Sequence, residues 1–333
     1  MKHISILVPK GAVALSTIEG PFIAFSKTNE ILESLGRPPL FKIQLVGINK
    51  ESQSYHRSFN VAPDHVITDT FKTDLVIIPA VNGDKKEVIE DNREFFPWIN
   101  KQYKEGAEVA SFCVGTFLLA ATGLLEDKKC ATHWLAVEEF RNMFPDIELV
   151  SDKIITDEHG VYSSGGALSF WNLVLYLIEK YAGRDVAIAC SKIFEIEIDR
   201  SSQAAFIMFK GQRDHQDESI LKAQEFIEHH FQDKITVDQL STMFAIGRRS
   251  LERRFKKATR NTVSEYIQRV KIEAAKKSFE TSRKNINEIM DDVGYSDTKA
   301  FRTIFKRTTG LSPIEYRNKY NKETMVTMSS YGC

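Results

Sequence analysis

Two groups of residues in this 333-residue chain combine types and spacing that chemistry can use. The first is basic and duplicated. Leu251, Phe255 and Ala258 recur at i, i+4 and i+7, which predicts one buried helix face. The opposite face presents Arg249, Arg253, Lys256 and Lys257, with Arg248 and Glu252 at its N-terminal flank. Guanidinium forks fit guanine O6 and N7 in a major groove, and lysines neutralise phosphates. Fifty residues on, Phe301 and Phe305 repeat the buried face, and Thr298, Lys299, Arg302 and Thr303 point away, followed by Lys306. The second group surrounds Cys113. The run Ala110-Ser111-Phe112-Cys113-Val114-Gly115-Thr116 reads as a strand, a sharp turn carrying the thiol, and a helix start. A turn of this kind holds a nucleophile above a sheet edge, and a helix N-terminus below it favours an anion. His133 as base and Glu19 as orienting acid would complete a cysteine triad. Ser164, in Ser163-Ser164-Gly165-Gly166 before an apolar helix, is a further candidate for holding an anion.

These residues need elements to position them. Short apolar runs over 4–8, 41–48, 74–79 and 109–112 read as strands, with helices over 18–35, 116–124 and 168–180 and a late hairpin over 149–163. Strands alternating with helices imply a parallel sheet covered on both faces. Beyond Cys190 the pattern changes. Residues 196–217 read as a linker, and from 218 onward only helical signals remain. Thr236 with Gln239, Thr262 with Glu265, Asn285 with Glu288 and Ser312 with Glu315 all fit capping-box spacing, and Pro313 suits a first helical turn. Phe255-Lys256, Thr259 and Glu265-Tyr266 are matched fifty residues later by Phe305-Lys306, Thr309 and Glu315-Tyr316. Each copy predicts a short helix, a tight turn and a second helix: 237–244 then 248–259, and 286–293 then 297–308. That is helix-turn-helix layout. Residues 323–333 form a tail.

Composition bounds the alternatives. With 42% apolar residues and only 17 Gly and 9 Pro, the chain is neither disordered nor collagen-like. Cys113, Cys130, Cys190 and Cys333 are scattered, which gives neither a disulfide framework nor a metal pair. The first apolar run is too short for a secretion signal and no stretch is long enough to span a bilayer, so the expectation is a cytoplasmic protein away from membranes. The zero net charge hides a split. Residues 221–322 carry 22 Lys+Arg against 13 Asp+Glu, a basic balance that suits a polyanion partner.

Residues 233–320 resemble the DNA-binding domain of AraC/XylS-family transcription regulators. The family's second half reads Ile-Ala-x-x-Val-Gly-Phe, Phe-x-x-x-Phe-Lys and Gly-x-Ser-Pro-x-x-Tyr-Arg. This chain has Ile289-Met290, Val293-Gly294-Tyr295, Phe301 to Lys306, and Gly310-Leu311-Ser312-Pro313-Ile314-Glu315-Tyr316-Arg317. The first copy departs from the pattern, with Arg260 and Val263 where the second has Gly310 and Pro313. The resemblance implies two helix-turn-helix units joined by a long helix over 263–280 and entering successive major grooves of double-stranded DNA. Residues 1–195, with the 74–79 strand and the cysteine elbow, resemble the ThiJ/PfpI, class I glutamine amidotransferase-like fold, which implies a flavodoxin-like parallel-sheet sandwich. The whole chain is similar to GlxA-type regulators within the AraC group.

That resemblance implies a sequence-specific transcription regulator, an activator, with a ligand-sensing or dimerisation domain at residues 1–195 and a DNA-binding domain at 218–322. Glu19, Cys113, His133 and Ser164 are its effector-pocket candidates. The expected partners are DNA, RNA polymerase, a small-molecule effector and a second copy of the chain, with no cofactor and no metal. The competing class is a cysteine-dependent amidase or protease with a helical appendage. Protease-like members of the fold carry His directly after the Cys, where this chain has Val114, and Pro79-Ala80-Val81 stands in place of Pro-Gly-Gly. The expectation is therefore a regulator and not an enzyme.

Overall fold

The computed structural model describes residues 1–55, 58–198 and 201–321. Contacts divide the chain into two units, with the division between Gln203 and Ala204. In the first, seven strands form one sheet in the spatial order Ile155–Glu158, Val161–Ser164, Glu108–Ser111, Leu75–Ile78, Lys2–Val8, Phe41–Gly47 and His65–Val66. Every neighbouring pair is parallel except the first, which is an antiparallel hairpin. Leu75–Ile78 is buried at all four residues, as a continuous apolar run covered on both faces requires.

Among the described residues seven α-helices accompany the sheet: α1 (Ser16–Ser34), α2 (Lys85–Asp91), α3 (Phe95–Lys104), α4 (Thr116–Ala121), α5 (Val137–Met143), α6 (Phe170–Ala182) and α7 (Arg184–Phe194). Helices α1, α6 and α7 pack on one another, and α2 packs on α4. Strand order reverses beside Lys2–Val8, with Phe41–Gly47 on one side and Leu75–Ile78 on the other. Ligands of such sheets bind beyond the carboxyl ends of the strands. Cys113 lies at that end of Glu108–Ser111.

This is the flavodoxin-like parallel sandwich, and two local differences from the sequence expectations stand out. The hairpin is made by 155–158 and 161–164. Leu149 belongs instead to Glu148–Leu149, which pairs with Lys129–Cys130 in a separate ribbon. Helices α2, α3, α5 and α7 were not foreseen. For α2 a signal existed, because Asp84 caps it by accepting from the N–H of Lys86 (2.9 Å) and of Glu87 (3.1 Å).

The second unit is helical throughout its long elements: α8 (Glu218–His229), α9 (Val237–Met243), α10 (Arg248–Thr259), α11 (Val263–Thr281), α12 (Ile286–Asp292), α13 (Thr298–Thr309) and α14 (Pro313–Tyr320). It has two cores. Leu240, Leu251, Phe255 and Tyr266 belong to one, and Ile289, Phe301, Phe305 and Tyr316 to the other. Helix α11 serves both, giving Val263, Tyr266 and Val270 to the first and Ile272, Ala275 and Phe279 to the second. Thr262, Asn285 and Ser312 make complete capping boxes, whereas Thr236 caps α9 from one side only.

Residues 196–217, which read as a linker, hold specific contacts. Gln203 is buried in the first unit and donates from Nε2 towards the carbonyls of Thr132 (3.0 Å) and Ser151 (3.0 Å). In the second unit the Ile207 carbonyl accepts from the Lys276 ammonium (2.6 Å), and the Phe209 N–H donates to Glu273 (3.1 Å). Anchoring one residue at a time leaves no periodic pattern, so nothing in the sequence distinguished this stretch from a free linker. The tail 323–333 and Cys333 lie outside the described residues. Among the described residues no helix is long and apolar enough to cross a membrane.

Candidate functional site

The two helical copies superpose residue for residue in their chemistry. Leu251 to Arg260 and Phe301 to Gly310 follow the same order of buried, half-buried and exposed positions. Thr259 and Thr309 each donate to a carbonyl one turn back, Phe255 O (2.8 Å) and Phe305 O (2.9 Å). Tyr266 meets Phe255 edge-on and donates to Glu228 (2.5 Å). Tyr316 meets Phe305 edge-on and donates to Glu280 (2.5 Å). These anchors hold α10 and α13 by their apolar faces and leave the opposite faces outward.

On α10, Arg249, Glu252, Arg253, Lys256 and Lys257 are all exposed. Arg248 is exposed too, but its guanidinium holds both carboxylate oxygens of Asp238 on α9 (3.0 Å each), with Glu252 3.5 Å away. It braces the two helices of its own unit. Arg249 and Arg253 make no hydrogen bond or ion pair among the described residues, so their forks are free to meet a ligand. Arg254, on the same helix, is committed to Asp217 (2.6 and 2.9 Å). On α13, Lys299, Arg302, Thr303 and Lys306 are exposed and Thr298 is half-buried. Asp297 caps that helix from Lys299 N (2.8 Å), and the Thr303 hydroxyl turns back to Lys299 O (2.8 Å). The two outward faces thus differ. The first is rich in guanidinium, and the second mixes Arg302 with lysines and hydroxyls, while Arg307 donates to Gln268 Oε1 (2.9 Å).

In the first unit Cys113 adopts φ +55°, the left-handed backbone of an elbow residue. Its carbonyl accepts from Thr116 Oγ1 (3.0 Å) and Thr132 Oγ1 (3.0 Å), and its N–H donates to Ser164 Oγ (3.2 Å). The N–H groups of Ala167 and Val114 point at the sulfur, and Lys85 adds a positive field. Burial nevertheless dominates and raises the thiol above its ordinary value. The elbow therefore disfavours the thiolate.

His133 lies beside this turn. Its Nδ1 accepts from Leu135 N (3.1 Å), and burial lowers its pKa. The ring presses on Gly166, where an added Cβ would stand 2.2 Å from its Cδ2. The residue must be glycine for the imidazole to sit there. Gly166 is held in turn by Gln203, whose Oε1 accepts its N–H (3.1 Å). Gln203 is the site residue that the sequence concealed inside an apparent linker.

Expected contacts within the triad are not made. No hydrogen bond joins His133 to Cys113, and Glu19 is exposed on the first turn of α1 without a hydrogen bond to either. The structure does bring Cys113, His133 and Ser164 around one turn, and the rim carries the exposed Leu135 and Leu168. A groove of about 710 Å³ opens elsewhere on this unit, lined by residues including Phe96, Asn100, Lys101 and Thr122 but not Cys113.

Comparison with known proteins agrees with both halves. Residues 25–180 match the DJ-1/PfpI family model and residues 240–319 a helix-turn-helix domain model. The HTH-type transcriptional regulator GbdR of Pseudomonas aeruginosa is 23% identical over 258 residues, 77% of this chain and 69% of that protein. The xylose operon regulatory protein of Escherichia coli is 33% identical over 110 residues, 33% of this chain and 28% of its own. A solved putative transcriptional regulator from Vibrio parahaemolyticus shares the fold over 58% of this chain and 98% of its own, with TM-score 0.52 and 21% identity. Residues 25–180 thus carry a DJ-1/PfpI-type domain and residues 240–319 an AraC-type helix-turn-helix domain, the domain pairing of a DNA-binding transcription regulator.

Proposed function

We propose that the chain acts as a homodimeric, effector-responsive activator that reads bases mainly through Arg249 and Arg253 of α10 and through Lys299, Arg302 and Thr303 of α13. The observation that carries this reading is the pair of outward basic faces on two like-built helix-turn-helix units, with the guanidinium forks of the first unengaged. Lys256, Lys257 and Lys306 sit one turn further along and suit phosphates. A second copy of the chain would double the number of base-reading helices on one duplex and raise affinity by tethering. Contact with RNA polymerase would then turn occupancy into transcription, in the cytoplasm.

In the first unit the effector site is the turn around Cys113, His133 and Ser164. A thiol disfavoured as thiolate, an imidazole disfavoured as a cation and an exposed Glu19 suit recognition better than nucleophilic attack, so the domain senses and does not turn over substrate. The test is selection of duplexes from a randomised pool by the full-length chain, followed by anisotropy titration at several salt concentrations. Tight binding of a discrete motif, with affinity falling steeply as salt rises, is the expected result. Failure to enrich any sequence would refute it.

A further inference from the structure

We propose that Lys271 is a positioning residue that clasps the two helix-turn-helix units together and so fixes the spacing at which paired DNA subsites are read. The inference rests on the DNA-binding reading above and adds to it a fixed register between α10 and α13.

Helix α11 alone would be a weak ruler. Its 19 residues span about 28 Å at 1.5 Å per residue, and long helices bend. At its middle, between the side chains given to the first core and those given to the second, stands Lys271. The residue is only 7% exposed, and among the described residues its ammonium bonds carbonyls and no carboxylate. It donates to the Gly294 carbonyl (3.0 Å) and reaches the Asp233 carbonyl (3.4 Å). Gly294 is the turn of the second helix-turn-helix, and Asp233 lies in the segment between α8 and α9 of the first. The Tyr295 ring covers the ammonium at 5.5 Å.

The units also touch directly at this point. Gly294 has φ +73°, and an added Cβ would lie 2.0 Å from the Gln232 carbonyl and 2.7 Å from Lys271 Nζ. Burying an ammonium is costly, and an apolar side chain of similar volume would often serve stability as well or better. What an apolar side chain cannot do is satisfy two facing carbonyls, one from each unit. Lys271 thus converts a flexible shared helix into a rigid joint. On DNA, one inserted base pair rotates the second subsite by about a tenth of a turn, since roughly 10–10.5 base pairs make a turn. A rigid joint cannot follow that rotation.

The experiment uses the full-length chain and the duplex selected above. Subsites are mapped by scrambling each in turn, and spacer variants gain or lose one base pair. For wild type, each spacer change should weaken binding by about tenfold or more, the size of one lost base contact. Lys271→Met should bind the singly scrambled duplexes at low salt within about twofold of wild type, yet lose less than about threefold on the spacer variants. Lys271→Arg, which keeps donors for both carbonyls, should restore strict spacing. Lys271→Gln, uncharged and one bond shorter, serves if the methionine variant melts below assay temperature. Unchanged spacing dependence in these variants would overturn the clasp while leaving DNA binding intact. Equal loss on all duplexes, or failure of both neutral variants to fold, would also overturn it, because the lysine would then be structural only. If wild type selects no duplex, it is the DNA-binding reading that fails.

Discussion

Arg260 and Gly310 occupy the same left-handed position fifty residues apart, at φ +57° and +75°, each as the residue that ends the second helix of its helix-turn-helix. An arginine does in the first copy what glycine does in the second, and its N–H still bonds Lys256 O (2.9 Å) as that of Gly310 bonds Lys306 O (2.8 Å). The left-handed state costs a residue with a Cβ about 1–2 kcal/mol. Gly310→Ala is therefore expected to destabilise the protein by about 1 kcal/mol with no change in its fold. Ala245, at φ +51° in the first turn where the second copy has Gly294, should gain a similar amount as Ala245→Gly. Urea midpoints of the two variants, moving in opposite directions, check both.

Tyr295 carries a hydroxyl buried without a partner among the described residues. An unsatisfied buried hydroxyl costs about 1–3 kcal/mol relative to one that is bonded. Tyr295→Phe keeps the ring against Phe301 and removes the orphan atom, so stability should hold or rise by about 1 kcal/mol. A fall in melting temperature would show that the hydroxyl has a partner in solution.

On the proposed reading, base reading and phosphate contact should separate by residue. Arg249→Ala or Arg253→Ala should weaken binding to the selected duplex by about 1–3 kcal/mol and relax base choice. Lys256→Ala or Lys257→Ala should weaken all duplexes alike and lower the salt slope by about one. Arg248→Ala should act on stability, because its fork is held by Asp238. Anisotropy on matched and mismatched duplexes distinguishes the three outcomes.

Thiol burial sets an alkaline limit. Cys130 is pushed up to about 12 by burial, and Cys113 and Cys190 are raised for the same reason. These groups ionise earlier in the unfolded chain. The stability they contribute is complete below the ordinary thiol value near 9 and is lost as pH climbs from there towards the folded value. Each thiol changes stability by at most about 1.4 kcal/mol per pH unit in that window. Urea midpoints should fall between pH 8 and pH 10.5, and less steeply in Cys130→Ala. Below pH 8 the two curves should run parallel.

Contacts assign the segment from Ala204 to the second unit, fourteen residues ahead of Glu218. A fragment of residues 218–322 loses the Ile207 and Phe209 contacts, which leaves the buried Lys276 ammonium with Glu273 as its remaining partner. A 204–322 fragment should melt several degrees higher, since 1 kcal/mol is worth roughly 4–8 °C in a domain of this size. Cys113→Ser should leave the full chain's DNA affinity unchanged and alter its response to effector or oxidant in a reporter assay.

Much of the second unit was written locally. Capping residues, a 3.6-residue apolar rhythm and a fifty-residue echo are signals a segment carries by itself, and α10, α11 and α13 begin where those signals lie. The parallel sheet was equally legible, because strands buried on both faces are mostly apolar runs, as in Leu75–Ile78. What tertiary structure alone decided is which polar groups meet. Arg248 and Arg249 are adjacent and of one type, yet only folding brings Asp238 to the first and leaves the second free. Glu19, His133 and Cys113 suggested a triad as residue types, but a triad exists only where the distances close. Gln203 and Lys271 show the converse. A glutamine in an unpatterned stretch and a lysine in a lysine-rich helix carry no local mark, since what defines each is the set of backbone carbonyls that distant segments place around it.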